Sequence, residues 1–256
     1  MSVQVHVEGH GPALVLLHGW GMNAAVWQAF SAELAQDFCV HAVEMPGFGL
    51  GGADCGGDNI AATVDVLAAA MPPHATVCGW SLGGQVALAW AHRHPAQVAR
   101  LVLLATTPRF VCGDDWTHGM AVDDFEEFAG DVGASLPRAR LRFLTLQANG
   151  DNLARMVLRE LREAVARGGE ADATALAAGL RMLREVDLRA ELPQIAQPAL
   201  IVHGVNDALV PQAAGEYLAR LLPHAEFESM AGAGHAPFVT REAQVAKWIR
   251  EFDGRH

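Results

Sequence analysis

No stretch of this sequence runs apolar for the ~20 residues that cross a bilayer, and the opening MSVQVHVEGHGP has no basic segment leading into a long hydrophobic one. Neither a membrane span nor a secretory leader is expected, which places the protein in the cytoplasm. Positive charge is also scarce: 18 Lys and Arg stand against 29 Asp and Glu, a net charge of -11. That balance argues against nucleic acid as a partner. Cysteine is sparse, and Cys39, Cys55, Cys78 and Cys112 show neither CxxC nor framework spacing. They read as buried free thiols instead of disulfides or zinc ligands. No metal-ligand cluster and no phosphate loop is visible, so no metal and no cofactor is expected. Only five serines are present, so the setting of each is informative.

What the chain does have is enough apolar material, 51% of 256 residues, for one well-buried core and a small inserted subdomain. Short apolar runs at Ala13 to Leu17, Cys39 to Val43, Thr76 to Gly79, Leu101 to Leu104 and Ala199 to His203 suit central strands of a parallel sheet. Val3 to Val7 alternates and predicts an antiparallel edge strand. Between the runs, Asn59 to Met71, Leu82 to His92, Gln212 to Leu221 and Arg241 to Phe252 read as amphipathic helices. The fold class is therefore α/β, a mostly parallel sheet with flanking helices. From residue 112 to 187 the alternation stops and helices follow one another: Asp123 to Val132, Leu136 to Gln147, Asn152 to Ala166 and Asp172 to Glu185. Residues 1–111 and 188–256 are thus expected to form the core, and 112–187 a helical lid over the carboxyl ends of the strands. The glycine-rich loop Gly47 to Gly57 has no such pattern.

One serine sits where a strand gives way to a helix. Gly79-Trp80-Ser81-Leu82-Gly83 is a GxSxG in strand-turn-helix context, the arrangement that lifts a hydroxyl to the mouth of a sheet. A serine needs a base and an acid to orient that base. "LIVHGVNDALVP" ends a strand and supplies Asp207; "FESMAGAGHAPF" follows Glu226 to Met230 and supplies His235 among small residues. The order Ser81, Asp207, His235 fits this fold, with Asp187 a weaker alternative for the acid. Two oxyanion donors are then required. The N–H of Leu82, next to the serine, and that of Trp20, in "LLHGWGMN", are the candidates, while His18 is expected to hold the turn.

"HGWG", "GWSLGG", "GVNDALVP" and "GHAPF", in this order with helices inserted after "LLATTP", resemble the α/β-hydrolase superfamily over essentially the whole chain. Within it, "LVLLHGWGMNAAVW", "MPGFG", "GWSLGGQVA", "RFLTLQ" and "GHAPF" resemble the pimeloyl-ACP methyl ester carboxylesterases of biotin synthesis. That resemblance implies hydrolysis of the methyl ester at the far end of a pimeloyl chain on acyl carrier protein. It also implies Ser81, Asp207 and His235 as the triad, Trp20 and Leu82 at the oxyanion and acyl site, and Phe143 to Gln147 along the acyl channel. Glu44, where many relatives carry Asp, is a departure beside the site.

The segment from Arg138 to Arg167 carries Arg138, Arg140, Arg142, Arg155, Arg159, Arg162 and Arg167 against Asp151, Glu160 and Glu163. Arg138 with Arg142, and Arg155 with Arg159 and Arg162, repeat at helical spacing, so each set lies on one face. The resemblance implies that Arg138, Arg142, Arg155 and Arg159 dock the acidic carrier, and the enzyme is expected to act as a monomer. A broad short-chain carboxylesterase, a carbon–carbon bond hydrolase or a perhydrolase would use the same triad, and a noncatalytic receptor would leave it idle.

Overall fold

The computed structural model describes residues 3–46, 48, 59–169, 171 and 173–256. Apart from Phe48, the glycine-rich loop at 47–57 and its Cys55 lie outside the described residues, as does Asp172, the expected start of the last inserted helix. Seven strands form one sheet: β1 (Val5–Gly9), β2 (Ala13–Leu17), β3 (Cys39–Val43), β4 (Ala75–Trp80), β5 (Val98–Leu104), β6 (Ala199–Gly204) and β7 (Ala225–Met230). Their order is β1-β3-β2-β4-β5-β6-β7. Every pairing is parallel except that of β1 with β3, so the alternating N-terminal strand is the antiparallel edge. It is shifted two residues later than its sequence pattern suggests.

Burial explains the assignment. Every residue of β4 and β6 is buried, while most of β1 at the edge is exposed. Along β2, Leu14 and Leu16 join the core layer of Trp27, Phe238 and Phe252, and Val15 and Leu17 join the opposite layer with Val86 and Leu218. That is the two-residue period of a strand covered on both faces. Helices α1 (Gln28–Leu34), α2 (Ile60–Ala70), α3 (Leu82–Arg93), α8 (Gln212–Leu221) and α9 (Glu242–Asp253) flank the sheet. Asn59 caps α2, its side chain accepting from the Ala62 N–H at 2.9 Å, as N-cap residues do. Four helices, α4 (Val122–Ala134), α5 (Leu136–Ala148), α6 (Ala154–Gly168) and α7 (Ala173–Glu185), run consecutively between β5 and β6. Among the described residues no helix is long and apolar enough to cross a membrane.

The strand order sets the position of the crevice. The chain passes from β2 to β3 on one side and then to β4 on the other, so a topological switch point lies outside the carboxyl ends of β2 and β4. The loop after β2 and the turn after β4 therefore face each other. Glycine makes the approach possible: a Cβ on Gly83 would lie 2.2 Å from the Leu17 carbonyl oxygen, and one on Gly79 2.2 Å from that of Gly83. Gly83→Ala should therefore lower stability by about 3 kcal/mol, the upper end of overpacking costs. Gly130→Ala on α4, where no atom lies within 4 Å of the new carbon, should instead gain about 0.5–1 kcal/mol. Urea denaturation midpoints of the two variants test both signs.

Candidate active site

Ser81 occupies the turn between β4 and α3 at φ 56° and ψ -118°, a backbone conformation that costs an L residue of order 1–3 kcal/mol. Its neighbours hold it there. The Ser81 N–H donates to the Leu104 carbonyl at 3.0 Å, and its own carbonyl accepts from Thr106 Oγ1 at 2.6 Å and from the Gly84 N–H at 2.9 Å. Leu82 opens α3 directly after it. The positive end of that helix thus begins at the serine, where developing negative charge is favoured.

His235 lies in the loop after β7 and Asp207 in the loop after β6. Asp207 Oδ2 accepts from His235 Nδ1 at 2.8 Å, and Oδ1 accepts from the N–H groups of Leu209 and Val210, both at 2.9 Å. Burial alone would raise the Asp207 carboxyl, yet the charge of His235 and the hydrogen bonds from His203 and His235 hold it well below the usual carboxylate range. It is an ionised acceptor, so the proton of the neutral His235 ring belongs on Nδ1 and the lone pair on Nε2. His235 Nε2 is buried and has no hydrogen-bond partner among the described residues. The serine–imidazole hydrogen bond is not formed in this state, a looseness common before substrate binds. Trp80, next to the serine, ties the histidine close: its Nε1 donates to the His235 carbonyl at 2.7 Å and its ring centre lies 5.7 Å from the imidazole.

The turn after β2 closes on the serine from the other side. Met22 N–H donates to the Gly19 carbonyl, and Gly21 has φ 71°. A Cβ on Gly19 would touch the Ser81 Cβ at 3.3 Å, so the residue before Trp20 abuts the serine. His18 is buried beneath this turn. The Met45 N–H donates to its Nε2 at 3.2 Å, and its Nδ1 lies 2.9 Å from the Gly19 carbonyl, which makes it the holder of the turn. Glu44, the departure, accepts from the Ala24 N–H at 3.2 Å and anchors the same loop.

Trp20 is buried and donates through Nε1 to the Leu176 carbonyl of α7 at 2.9 Å. Its ring stands edge-on to Phe143 of α5, 4.8 Å between centroids, and to Phe128 of α4, 5.1 Å, while Phe128 and Phe143 stack. The inserted helices thus supply an apolar wall against the β2 turn. Gln147, one turn beyond Phe143 on α5, is buried with neither amide atom hydrogen-bonded among the described residues, a costly state for a polar group without a ligand.

The arginines divide. Arg138 and Arg155 are exposed and make no ion pair among the described residues, whereas Arg142 binds Glu127 and Asp131 of α4, and Arg159 binds Glu160. Arg140 is buried and does not belong to an exposed face. Asp187 is bound by Arg109 and Arg189, and Asp207 occupies the His235 Nδ1 position that an orienting acid needs. Among the described cysteines, Cys39 and Cys112 are half-buried free thiols and only Cys78 is fully buried; burial pushes the Cys78 thiol up.

Two residues of the surroundings had no role in the sequence pattern. His203, the fifth residue of β6, is buried with Nε2 3.4 Å from Asp207 Oδ2, and its spacing of four from the acid was the available signal. Asp151, between α5 and α6, accepts from the Gly234 N–H at 2.9 Å and from Arg241. Nothing in the local sequence announces that contact.

The family profile for the alpha/beta hydrolase fold matches residues 12–242. A pimeloyl-[acyl-carrier protein] methyl ester esterase of Nitrosomonas europaea is 40% identical over 239 residues, covering 93% of this chain and 94% of its own. One of Xanthomonas oryzae pv. oryzae is 41% identical over 250 residues, covering 98% of each. Among solved structures, an esterase from Exiguobacterium antarcticum superposes with a TM-score of 0.85 at 23% identity, covering 98% of this chain and 94% of that one. A bromoperoxidase from Bacillus anthracis also gives 0.85, at 20% identity and the same coverage; these two likenesses concern the fold alone.

Proposed function

The chain belongs to the α/β-hydrolase family and groups within it with the pimeloyl-[acyl-carrier protein] methyl ester esterases, and from that premise we propose that it hydrolyses the methyl ester of pimeloyl-[acyl-carrier protein] to the free carboxylate and methanol, a step of biotin synthesis in the cytoplasm. The observation that carries the chemistry is the buried Asp207–His235 hydrogen bond at 2.8 Å, which leaves the Nε2 lone pair to act as base beside the strained serine.

In this mechanism His235 Nε2 takes the Ser81 proton as Oγ bonds to the ester carbonyl carbon. The N–H groups of Leu82 and Trp20 stabilise the tetrahedral oxyanion. Collapse breaks the bond to the methoxy oxygen, which leaves as methanol with the proton from His235. Water then gives a proton to His235, attacks the acyl-serine and releases the carboxylate, and Ser81 regains its proton. Asp207 holds the imidazole and stabilises its cation. All three groups come from one chain, so a monomer suffices.

Residues 112–187 act as the lid. Trp20, Phe143 and Phe128 provide the apolar wall for the seven-carbon chain, and the buried Gln147 amide awaits a polar atom of the substrate. The lid surface takes the carrier: Arg155 and Arg159 on α6 stand beside exposed Leu153 and Met156, with Arg138 and Arg142 on α5. Arginine forks suit an acidic partner and phosphate. Charge reversal of Arg155 and Arg159 together to Glu should raise KM for the carrier-bound ester about tenfold and leave kcat/KM for free dimethyl pimelate within about twofold, since rim charges act on encounter. Methanol release measured at two salt concentrations checks this: equal losses on both substrates would contradict the docking role.

A further inference from the structure

Asp207 has a second histidine. His203 is fully buried, and its Nε2 lies 2.9 Å from the Val210 carbonyl and 3.4 Å from Asp207 Oδ2. A carbonyl only accepts, so His203 Nε2 carries the hydrogen. Nδ1 is buried with no hydrogen-bond partner among the described residues. This makes His203 a neutral donor with a fixed tautomer. The ring is also held in place: a Cβ on Gly215 would lie 2.6 Å from its Nδ1. The Nε2–H that donates to Val210 also lies 3.4 Å from Oδ2, the oxygen that accepts from His235, while the Leu209 and Val210 amides hold Oδ1. Because Val210 accepts from His203 through its carbonyl and donates to Asp207 through its amide, the one imidazole fixes both the loop and the carboxylate.

We infer that His203 is a positioning residue for the acid of this site: its Nε2–H fixes the Asp207 carboxylate plane and draws charge from Oδ2, so that His235 stays neutral and correctly aimed in the resting enzyme. The inference rests on the triad reading above. A group that donates to Oδ2 competes with His235 for the charge of that oxygen, so removing it should favour the His235 cation. The titratable groups bearing on the pair are His203, Asp207 and His235 themselves. Asp151 and Arg241, which contact the loop that carries His235, form a mutual ion pair against Gly232 and Gly234.

The test compares His203→Gln, whose amide nitrogen reaches the position of Nε2, with His203→Asn, whose amide stops near that of Nδ1. Free dimethyl pimelate is the probe, with kcat, KM, the pH profile and Tm measured for each. The Asn variant is expected to lose about tenfold in kcat, the worth of one hydrogen bond, with KM within about twofold. The acidic limb of its profile should move up by about half a unit or more as the His235 cation is favoured. The Gln variant should stay within about threefold of wild type and keep the wild-type limb. If both variants keep the wild-type limb, whether fully active or losing activity in step with Tm, His203 is only a core residue and the inference fails. Should the Asn variant not fold, His203→Phe gives the same comparison against Gln. If wild-type protein itself fails to hydrolyse the ester, the triad reading falls instead, so the two failures are distinct.

Discussion

Ser81→Ala should lower kcat for methyl ester hydrolysis by about 10⁴-fold or more, the scale on which serine hydrolases lose rate without their nucleophile. The change is nearly silent for the fold. Alanine keeps the Cβ that abuts Gly19, and the bonds that hold the turn, from Ser81 N–H to Leu104 and from Thr106 Oγ1 to the Ser81 carbonyl, are made by backbone atoms of residue 81. Tm and KM should therefore stay close to wild type while labelling by a serine-directed phosphonate disappears. Retained hydrolysis would mean that another group attacks the ester. Of the five serines, Ser31 is on the buried face of α1 and Ser229 is exposed on the edge strand β7, and neither stands at a switch point.

Asp207→Asn should cost about 10³–10⁴ in kcat, through tautomer choice more than through lost geometry. The amide oxygen can still accept from Leu209 and Val210, but its NH₂ then faces His235 Nδ1. The imidazole would have to turn Nδ1 into an acceptor and carry its proton on Nε2, where it can no longer take the proton of Ser81. The pH behaviour follows from the same contacts. Since the charge of His235 and the hydrogen bonds from His203 and His235 hold the Asp207 carboxyl well below the ordinary range against the opposing effect of burial, Asp207 stays ionised at every pH where the enzyme works. For stability the sign is that of a depressed acid: the contribution of Asp207 is fully present above its unfolded value near ~4 and is lost as pH falls through its lower folded value. Asp207→Asn should thus flatten the acid side of the stability curve relative to wild type, which denaturant melts at a series of pH values would reveal.

The core of the sheet and the turn that carries Ser81 were legible in the sequence because their signals are local. β2 and β3 begin and end where the apolar runs do, and α8 matches its pattern residue for residue, because Gly, Pro and Asp bracket those segments. The strand–turn–helix setting of Ser81 could be read in the same way. Elements with weaker punctuation were misjudged or missed. β5 begins at Val98, three residues before its apolar run, since Arg100 is admitted to the strand and pairs with Asp253. The short α1 escaped notice because it follows directly on a 3-10 turn at Ala24–Trp27 and has too few residues to show a period. Contacts that depend on packing were out of reach. Asp151 meets Gly234 across 83 residues of chain, and the pairing of Arg142 with Glu127 and Asp131 comes from a neighbouring helix, whereas spacing rules compare charges only along one helix. The arginine face is accordingly narrower than its sequence count suggests.

The most direct test of the account is kcat/KM for methyl pimeloyl-[acyl-carrier protein] against free dimethyl pimelate, followed by methanol release with Ser81→Ala as control. The carrier-bound ester should be preferred by about a hundredfold or more, the worth of roughly 3 kcal/mol of carrier contact, and the control should be inert. Equal rates on the two esters would leave the triad standing and contradict the carrier assignment, making the protein a general carboxylesterase.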